Sequence, residues 1–382
     1  MTAYGCPVTA DGADAADGHR ARGSSEAVDS LVDWEFAART AARLVRPGPT
    51  VSRDEAHTAV EQLRAFATEA TAHVSATTGL HAPAGEGVLV VDRAGWATAN
   101  VDAFRTLLAP AVARAAERRD RQPNAVAAAI GSRVTGAEVG SLLAFLASRV
   151  LGQYDVFGEA DTAADGTVAG RLLLVAPNVL QAEREMDVDA RDFRMWVCLH
   201  EETHRVQFTA VPWMRDHIHE EIGNLIGSVE MDSARLVGMF GEGVKRLSDL
   251  VRGDDDVSLL DLVHTPEQKV VLDRITAVMS LLEGHADVVM DGVGPEVIPS
   301  VAEIRRKFNV RRKGAGSFDR ILRKLLGLDA KMAQYRNGAA FVRGAVDRVG
   351  MEGFNKVWVV PENLPSKAEI GDPDSWVRRV HG

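Results

Sequence analysis

The sequence predicts a mainly α fold, α+β in class, with a small sheet among many helices. Three observations carry that prediction. Long stretches place their apolar residues at helical spacing, whereas only two short apolar runs, 88–91 and 171–176, read as strands. Helix-starting residues and terminating Pro or Gly punctuate the long stretches. The third observation is the stretch 196–204, in which a polar pattern emerges from a helix that otherwise reads as core.

Taken in order, 30–45 predicts a short helix, with Leu31, Trp34, Ala37, Ala38, Ala41 and Leu44 on its spacing and Pro47 and Pro49 ending it. Ser52-Arg53-Asp54-Glu55 fits a capping box and starts a second helix to about residue 77. The run 88–91 (Val-Leu-Val-Val) reads as a buried strand. Residues 96–116 are helical again, with Pro110 expected to kink or divide them. The Ala-rich stretch 125–151 reads as a helix in which Gly131, Gly136 and Gly140 permit close helix contacts. Residues 154–170 read as a loop, and 171–176 as a strand stopped by Pro177. An open edge on that strand is where an extended peptide could pair. Asp187 or Asp189 caps the next helix, which runs to about Phe208 before Pro212. A helix from Pro212 carries Trp213, His217, His219, Glu220 and Glu221. The acidic loop 254–256 reads as solvated. Thr265-Pro266-Glu267-Gln268 is a strong helix start, and the helix extends to about Asp291, ended by Gly292 and Gly294. The remainder reads as basic helices and a tail, with 305–307 and 311–313 as solvated charge or partners for the acidic excess.

A chain of 382 residues is long enough for a sizeable core. Its net charge of −10 argues against nucleic acid and anionic membrane as partners, and no apolar run approaches the roughly 18 residues of a membrane span. Residues 1–27 are small, polar and acidic and are expected to be a disordered leader, in a cytoplasmic protein without a secretory signal. Residues 28–382 are expected to form one unit: a helical part at 28–160, a metal-site core at 161–294, and a C-terminal helical part and tail at 295–382. The two cysteines cannot build a disulfide framework, and Cys198 reads as a buried small apolar residue.

The chemistry concentrates in His200-Glu201-Glu202-Thr203-His204, an H-E-x-x-H pattern. Residues four apart share a helix face, so both imidazoles can meet one ion. Glu201 sits beside that face, where it can take a proton from water instead of ligating the metal. A catalytic zinc needs a third protein ligand and an open position. The compact pattern with Gly and His seven and ten residues after the first His is excluded, since Gln207 and Ala210 stand there. Glu283 is the best candidate. It lies in the otherwise apolar segment 281–290, where a carboxylate is costly unless a cation meets it. Asp287, four residues on, shares its face and can accept the second ring N–H of a ligating His. Gly284 weakens the helix, which makes sense if another helix approaches closely. His285 competes for the third position, or faces substrate and steadies an oxyanion, with Tyr335 as a second candidate for that contact. Glu220 and the His217/His219 pair are a weaker alternative.

The motif 199–208, the segment 282–287 and Arg312-Lys313-Gly314 resemble actinobacterial zincin-like proteins of unassigned function. Those proteins are labelled as zinc-dependent metallopeptidases or hydrolases, or as associated with deazaflavin cofactor biosynthesis. The resemblance runs from about Trp34 to Trp376. It implies a largely helical zincin-like fold, one zinc ion on His200, His204 and Glu283, and Glu201 as catalytic acid/base. The expected function is a zinc-dependent hydrolase, a metallopeptidase cleaving a peptide or other amide bond. The alternative is a non-catalytic zinc-binding scaffold, with a fourth ligand such as His285 or Glu220, or an accessory protein in deazaflavin metabolism. Neither a dinucleotide-binding glycine fingerprint nor a phosphate-binding P-loop is present in the sequence.

Overall fold

The structure is a computed structural model and describes residues 31–82, 87–117, 125–158, 170–227, 265–313 and 338–382. The leader, the acidic loop 254–256 and Tyr335 lie outside the described residues. Helix α1 (Trp34–Leu44) is capped by Asp33, and α2 (Arg53–Thr78) by Ser52, whose hydroxyl accepts from Glu55 N. Strand β1 (Val88–Val91) leads into α3 (Arg93–Glu117), which Pro110 does not divide. Helix α4 (Ala125–Ala147) follows and packs across α1. A Cβ on Gly136 would come within 2.5 Å of Asp33 O, and one on Gly140 within 2.4 Å of Ala37 O. Gly131, expected to share that role, faces nothing within 4 Å.

Strands β2 (Gly152–Asp155) and β3 (Arg171–Val175) complete a sheet of order β1-β3-β2. β1 runs parallel to β3, with Val88 opposite Leu172, and β2 runs antiparallel, with Gly152 opposite Leu174. Two expectations change here. β1 is an edge strand with Leu89 45% exposed, not a buried one. β3 is central, so both its edges are already hydrogen-bonded and neither can receive a peptide. The remaining sheet edge belongs to β2, whose last two residues fall in the stretch 154–170 that reads as loop.

β3 is buried on both faces, and its alternation divides the core. Leu172 and Leu174 join Leu63, Phe66, Phe193, Trp196 and Leu199, whereas Leu173 and Val175 join Trp34, Trp96, Val139 and Leu143. Pro177 does not merely stop the strand; it lies in the first turn of α5 (Ala176–Met186), where its missing N–H costs nothing. Helix α6 (Ala190–Thr209) follows, capped by Asp189, and α7 (Trp213–Gly227) after it. Helix α8 (Pro266–Val293) has the full capping box at Thr265 and Gln268, and ends at Gly294 with φ 71°.

The C-terminal part is α9 (Val301–Lys313), α10 (Gly338–Phe354), two 3₁₀ turns, α11 (Lys367–Ile370) and α12 (Pro373–His381). The tail is core, not an appendage: Trp376, Phe354 and Val357 are buried with Phe341 and Leu281 in a third apolar cluster. Of the basic clusters, Arg305 pairs with Asp291 at 2.9 Å, Lys307 with Glu303 at 2.8 Å and Arg311 with Glu185 at 3.2 Å. Among the described residues, no helix is long and apolar enough to cross a membrane.

Gly284 and Gly338 lie where α8 and α10 cross in close contact. A Cβ there would fall 2.1 Å from Gly338 C, and one on Gly338 would fall 2.1 Å from Ser280 O. Backbone blocks both positions, so neither can be relieved by turning a side chain. Gly284→Ala is therefore expected to cost at least about 1–3 kcal/mol in urea denaturation. Gly131→Ala, with open space around it, is expected instead to stabilise by up to about 1 kcal/mol through helix propensity. Equal effects of the two substitutions would contradict the crossing.

Candidate metal centre

Helix α6 is buried on nearly every side, with Phe193, Met195, Trp196, Val197, Cys198, Leu199 and Val206 as its apolar part. A helix buried all round must have its polar side chains answered. Arg194 forms a two-pronged pair with Glu183, at 2.6 and 3.0 Å. Arg205 does the same with Glu202, at 2.6 and 2.8 Å, and Thr71 Oγ1 donates to Glu202 at 2.7 Å. Asp192 accepts from the backbone N–H and the hydroxyl of Ser300, tying the start of α6 to the start of α9. These contacts hold the helix in place without using His200, Glu201 or His204. Cys198 is fully buried, as expected, and burial with Glu201 and Glu202 nearby pushes its thiol up.

His200 and His204 lie one turn apart, with their Nε2 atoms separated by 3.2 Å. From α8, 79 residues beyond His204, Glu283 brings Oε2 to 3.8 Å from His200 Nε2 and Oε1 to 3.6 Å from His204 Nε2. Ligand atoms about 2.0–2.1 Å from a tetrahedral zinc stand roughly 3.3 Å apart, so these residues fit that ion with little movement. Among the described residues, these three form a group whose ligating atoms all lie within 4.8 Å of one another. Neither His285 nor Glu220 joins it. The Glu283 side chain is 51% exposed and those of His200 and His204 are 25% and 14% exposed, so the group opens toward solvent on the α8 side.

The histidines are backed from within the fold. Trp196 stacks on His200 with the ring planes 16° apart, and Met290 Sδ lies 3.4 Å from His200 Nδ1. Gln207 Oε1 stands 2.9 Å from His204 Nδ1. Sequence reasoning missed Gln207, weighing it only as the residue that breaks the compact motif. The available signal was its place three residues after His204, on the same helix face, between Val206 and Phe208.

Glu201 is 7% exposed and lies against β2, where a Cβ on Gly152 would approach its Cγ to 2.5 Å. Burial, and then the charge of Glu283, push its carboxyl up to about 8. Asp287 is half-buried one turn beyond Glu283, and its carbonyl accepts from Arg305 at 2.7 Å. His217 and His219 are half-buried against Trp213 and Phe157.

His285 does not face substrate. It is fully buried between Phe354 and Trp358, with Nδ1 2.9 Å from Gln207 Nε2. The reason is its position two residues from Glu283, about 200° around α8, which turns it inward as Glu283 turns outward. Burial, and then His204, lower its pKa from 6.5 to about 3. The unfolded chain therefore binds this proton below about 6.5 while the folded chain resists it, so stability falls as pH drops from there toward 3. At about 1.4 kcal/mol per unit, the wild type is expected to lose roughly 3–5 kcal/mol more than His285→Phe across that window. Denaturant titrations of the two proteins at stepped pH measure the difference, and parallel curves would contradict it.

A family model described as zincin-like metallopeptidase matches residues 32–377, nearly the whole described frame around this site. The chain belongs to the zincin-like metallopeptidase family. A solved structure described as a candidate hydrolase with a novel fold, from Chloroflexus aurantiacus, is similar to this zincin-like chain. It shares 31% identity over 92% of this chain and 99% of that one, with a TM-score of 0.65. Among curated proteins nothing matches. Zincin-like membership implies zinc binding and a hydrolase, and agrees with a mainly α fold with a small sheet. The actinobacterial grouping and the deazaflavin link are not part of these likenesses.

Proposed function

We propose that the protein is a zinc-dependent hydrolase cleaving a peptide or other amide bond, with one ion on His200, His204 and Glu283. The observation that carries this reading is the spacing of 3.2, 3.6 and 3.8 Å among the three ligating side chains, with a buried carboxyl next in sequence but outside the group. When bound, zinc supplies Lewis acidity toward a carbonyl and toward water. Glu201 takes the proton from the attacking water on a carboxylate oxygen and passes it to the leaving amine nitrogen. Burial raises the proton affinity of this carboxyl, which favours its holding the proton between the two halves of that transfer. His200 and His204 would hold the ion through Nε2, and the acceptor beside the second ring nitrogen of His204 is Gln207 Oε1, not the Asp287 that the sequence suggests. The outer edge of β2, beside Glu201, is where an extended substrate backbone would lie.

The scaffold reading is not favoured: three ligating side chains on a half-exposed mouth leave a coordination position free. Chelation followed by reloading with zinc, read on a mixed peptide library by mass spectrometry, tests the proposal. Cleavage that disappears and returns supports it. Cleavage indifferent to chelation, or none with zinc stoichiometrically bound, would sink the peptidase reading.

A further inference from the structure

Gln207 is fully buried, and three neighbours account for its amide. Its nitrogen lies 3.0 Å from the carbonyl oxygen of Leu282 and 2.9 Å from His285 Nδ1, and its oxygen lies 2.9 Å from His204 Nδ1. A backbone carbonyl can only accept, so the contact with Leu282 commits the amide nitrogen to α8 and sends the oxygen toward His204. The oxygen in turn can only accept, so His204 must carry its proton on Nδ1. The remaining amide hydrogen points at His285 Nδ1, which must then be the unprotonated nitrogen of that ring. Its proton belongs on Nε2, an atom with no hydrogen-bond partner among the described residues, where the ring packs 5.7 Å from Phe354 and 5.3 Å from Trp358. The opposite tautomer of His285 would set two N–H groups against each other at 2.9 Å.

This order has a direction, and its origin is an atom that neither flips nor titrates. We propose that Gln207, oriented by the Leu282 carbonyl, is a positioning residue that holds His204 as the Nδ1–H tautomer, so that its Nε2 lone pair faces the metal. The proposal rests on His204 being a ligand. A neutral histidine left to itself populates both tautomers, and the one protonated on Nε2 cannot coordinate through that atom; which form a protein holds is set by the hydrogen bond on the other nitrogen. Here that bond comes from within the motif helix and is oriented by the helix that also carries Glu283. The backbone of Leu282, one residue before the third ligand, therefore orients the second.

Two-bond ¹H–¹⁵N spectra of the metal-free protein, at a pH where imidazoles are neutral, read the tautomers directly. His204 is expected as Nδ1–H and His285 as Nε2–H. Gln207→Leu is expected to shift His204 toward the Nε2–H form and to weaken zinc binding about 10–100-fold in chelator competition. Gln207→Glu, entering this buried site as the neutral acid with its O–H donating to the Leu282 carbonyl, keeps an acceptor for His204, so His204 stays Nδ1–H and zinc affinity stays within a few-fold, while His285 switches to Nδ1–H. That paired outcome is one a merely structural role would not produce. A wild type with His204 in mixed tautomers, or a Leu variant that binds zinc as the wild type does, would overturn the proposal. If Gln207→Leu does not fold, the wild-type and Gln207→Glu spectra decide it. Ordered tautomers in a wild type that binds no zinc would instead remove the metal reading, and the proposal with it.

Discussion

Glu201→Gln is expected to bind zinc as tightly as the wild type and to turn substrate over about 10²–10⁴-fold more slowly. The two halves of that expectation have separate grounds. Glu201 lies outside the group of ligating atoms, so exchanging a carboxyl for an amide of the same shape leaves His200, His204 and Glu283 as they are. The amide cannot take a proton from water, so transfer to the leaving amine is lost with it. Metal content by elemental analysis, paired with library turnover, gives both readings from one preparation. Equal turnover in the two proteins would remove Glu201 from the mechanism, whereas lost metal would make it a ligand.

His204→Ala is expected to weaken zinc binding on the order of 10³-fold or more, beyond the 10–100-fold typical of groups that only orient a ligand. Turnover should vanish with it. The same loss should appear in stability. A ligand present at about 1,000 times its dissociation constant stabilises the native state by about 4 kcal/mol. Chelation should therefore lower the melting temperature of the wild type and leave that of His204→Ala unchanged. Glu283→Ala should fall in the same class, because Glu283 alone brings an anionic ligand from α8 to the two imidazoles. A Glu283 variant with wild-type affinity would show that His200 and His204 hold the ion with some other group, and would reopen the third position.

Much of this was legible because it rests on periodicity and cost. Two histidines at helical spacing declared a shared face; Glu283 stood out as a carboxylate within the apolar run 281–290, but its side chain is 51% exposed, so burial does not oblige it to meet a cation. Gly284 declared a close neighbour that proved to be Gly338. What the sequence did not declare had no such signature. β2 is Gly-Gln-Tyr-Asp, with no alternating apolar residues, and becomes a strand only through its pairing with β3. Pro177 reads equally as the end of a strand and the beginning of a helix, and here it is both. Glu202 and Arg205 look like ordinary surface charges on a helix until α2 is seen to cover them. His285 resembles a substrate contact in sequence, and only the packing of Phe354 and Trp358 around it reveals an interior ring.

The sheet carries one more consequence. Because β2, Gly-Gln-Tyr-Asp, contributes a single buried apolar side chain, Tyr154, hydrophobic alternation does little to hold it in place. The anchor is polar: Arg171 Nε donates to Asp155 at 3.1 Å, and the same buried carboxylate accepts from the backbone of Phe157 and Gly158. That clasp, at the far end of β2, decides which residue stands opposite the carboxyl of Glu201. With it closed, the residue is Gly152 and the carboxyl has room; one step out of alignment, Gln153 would bring a side chain into the same space.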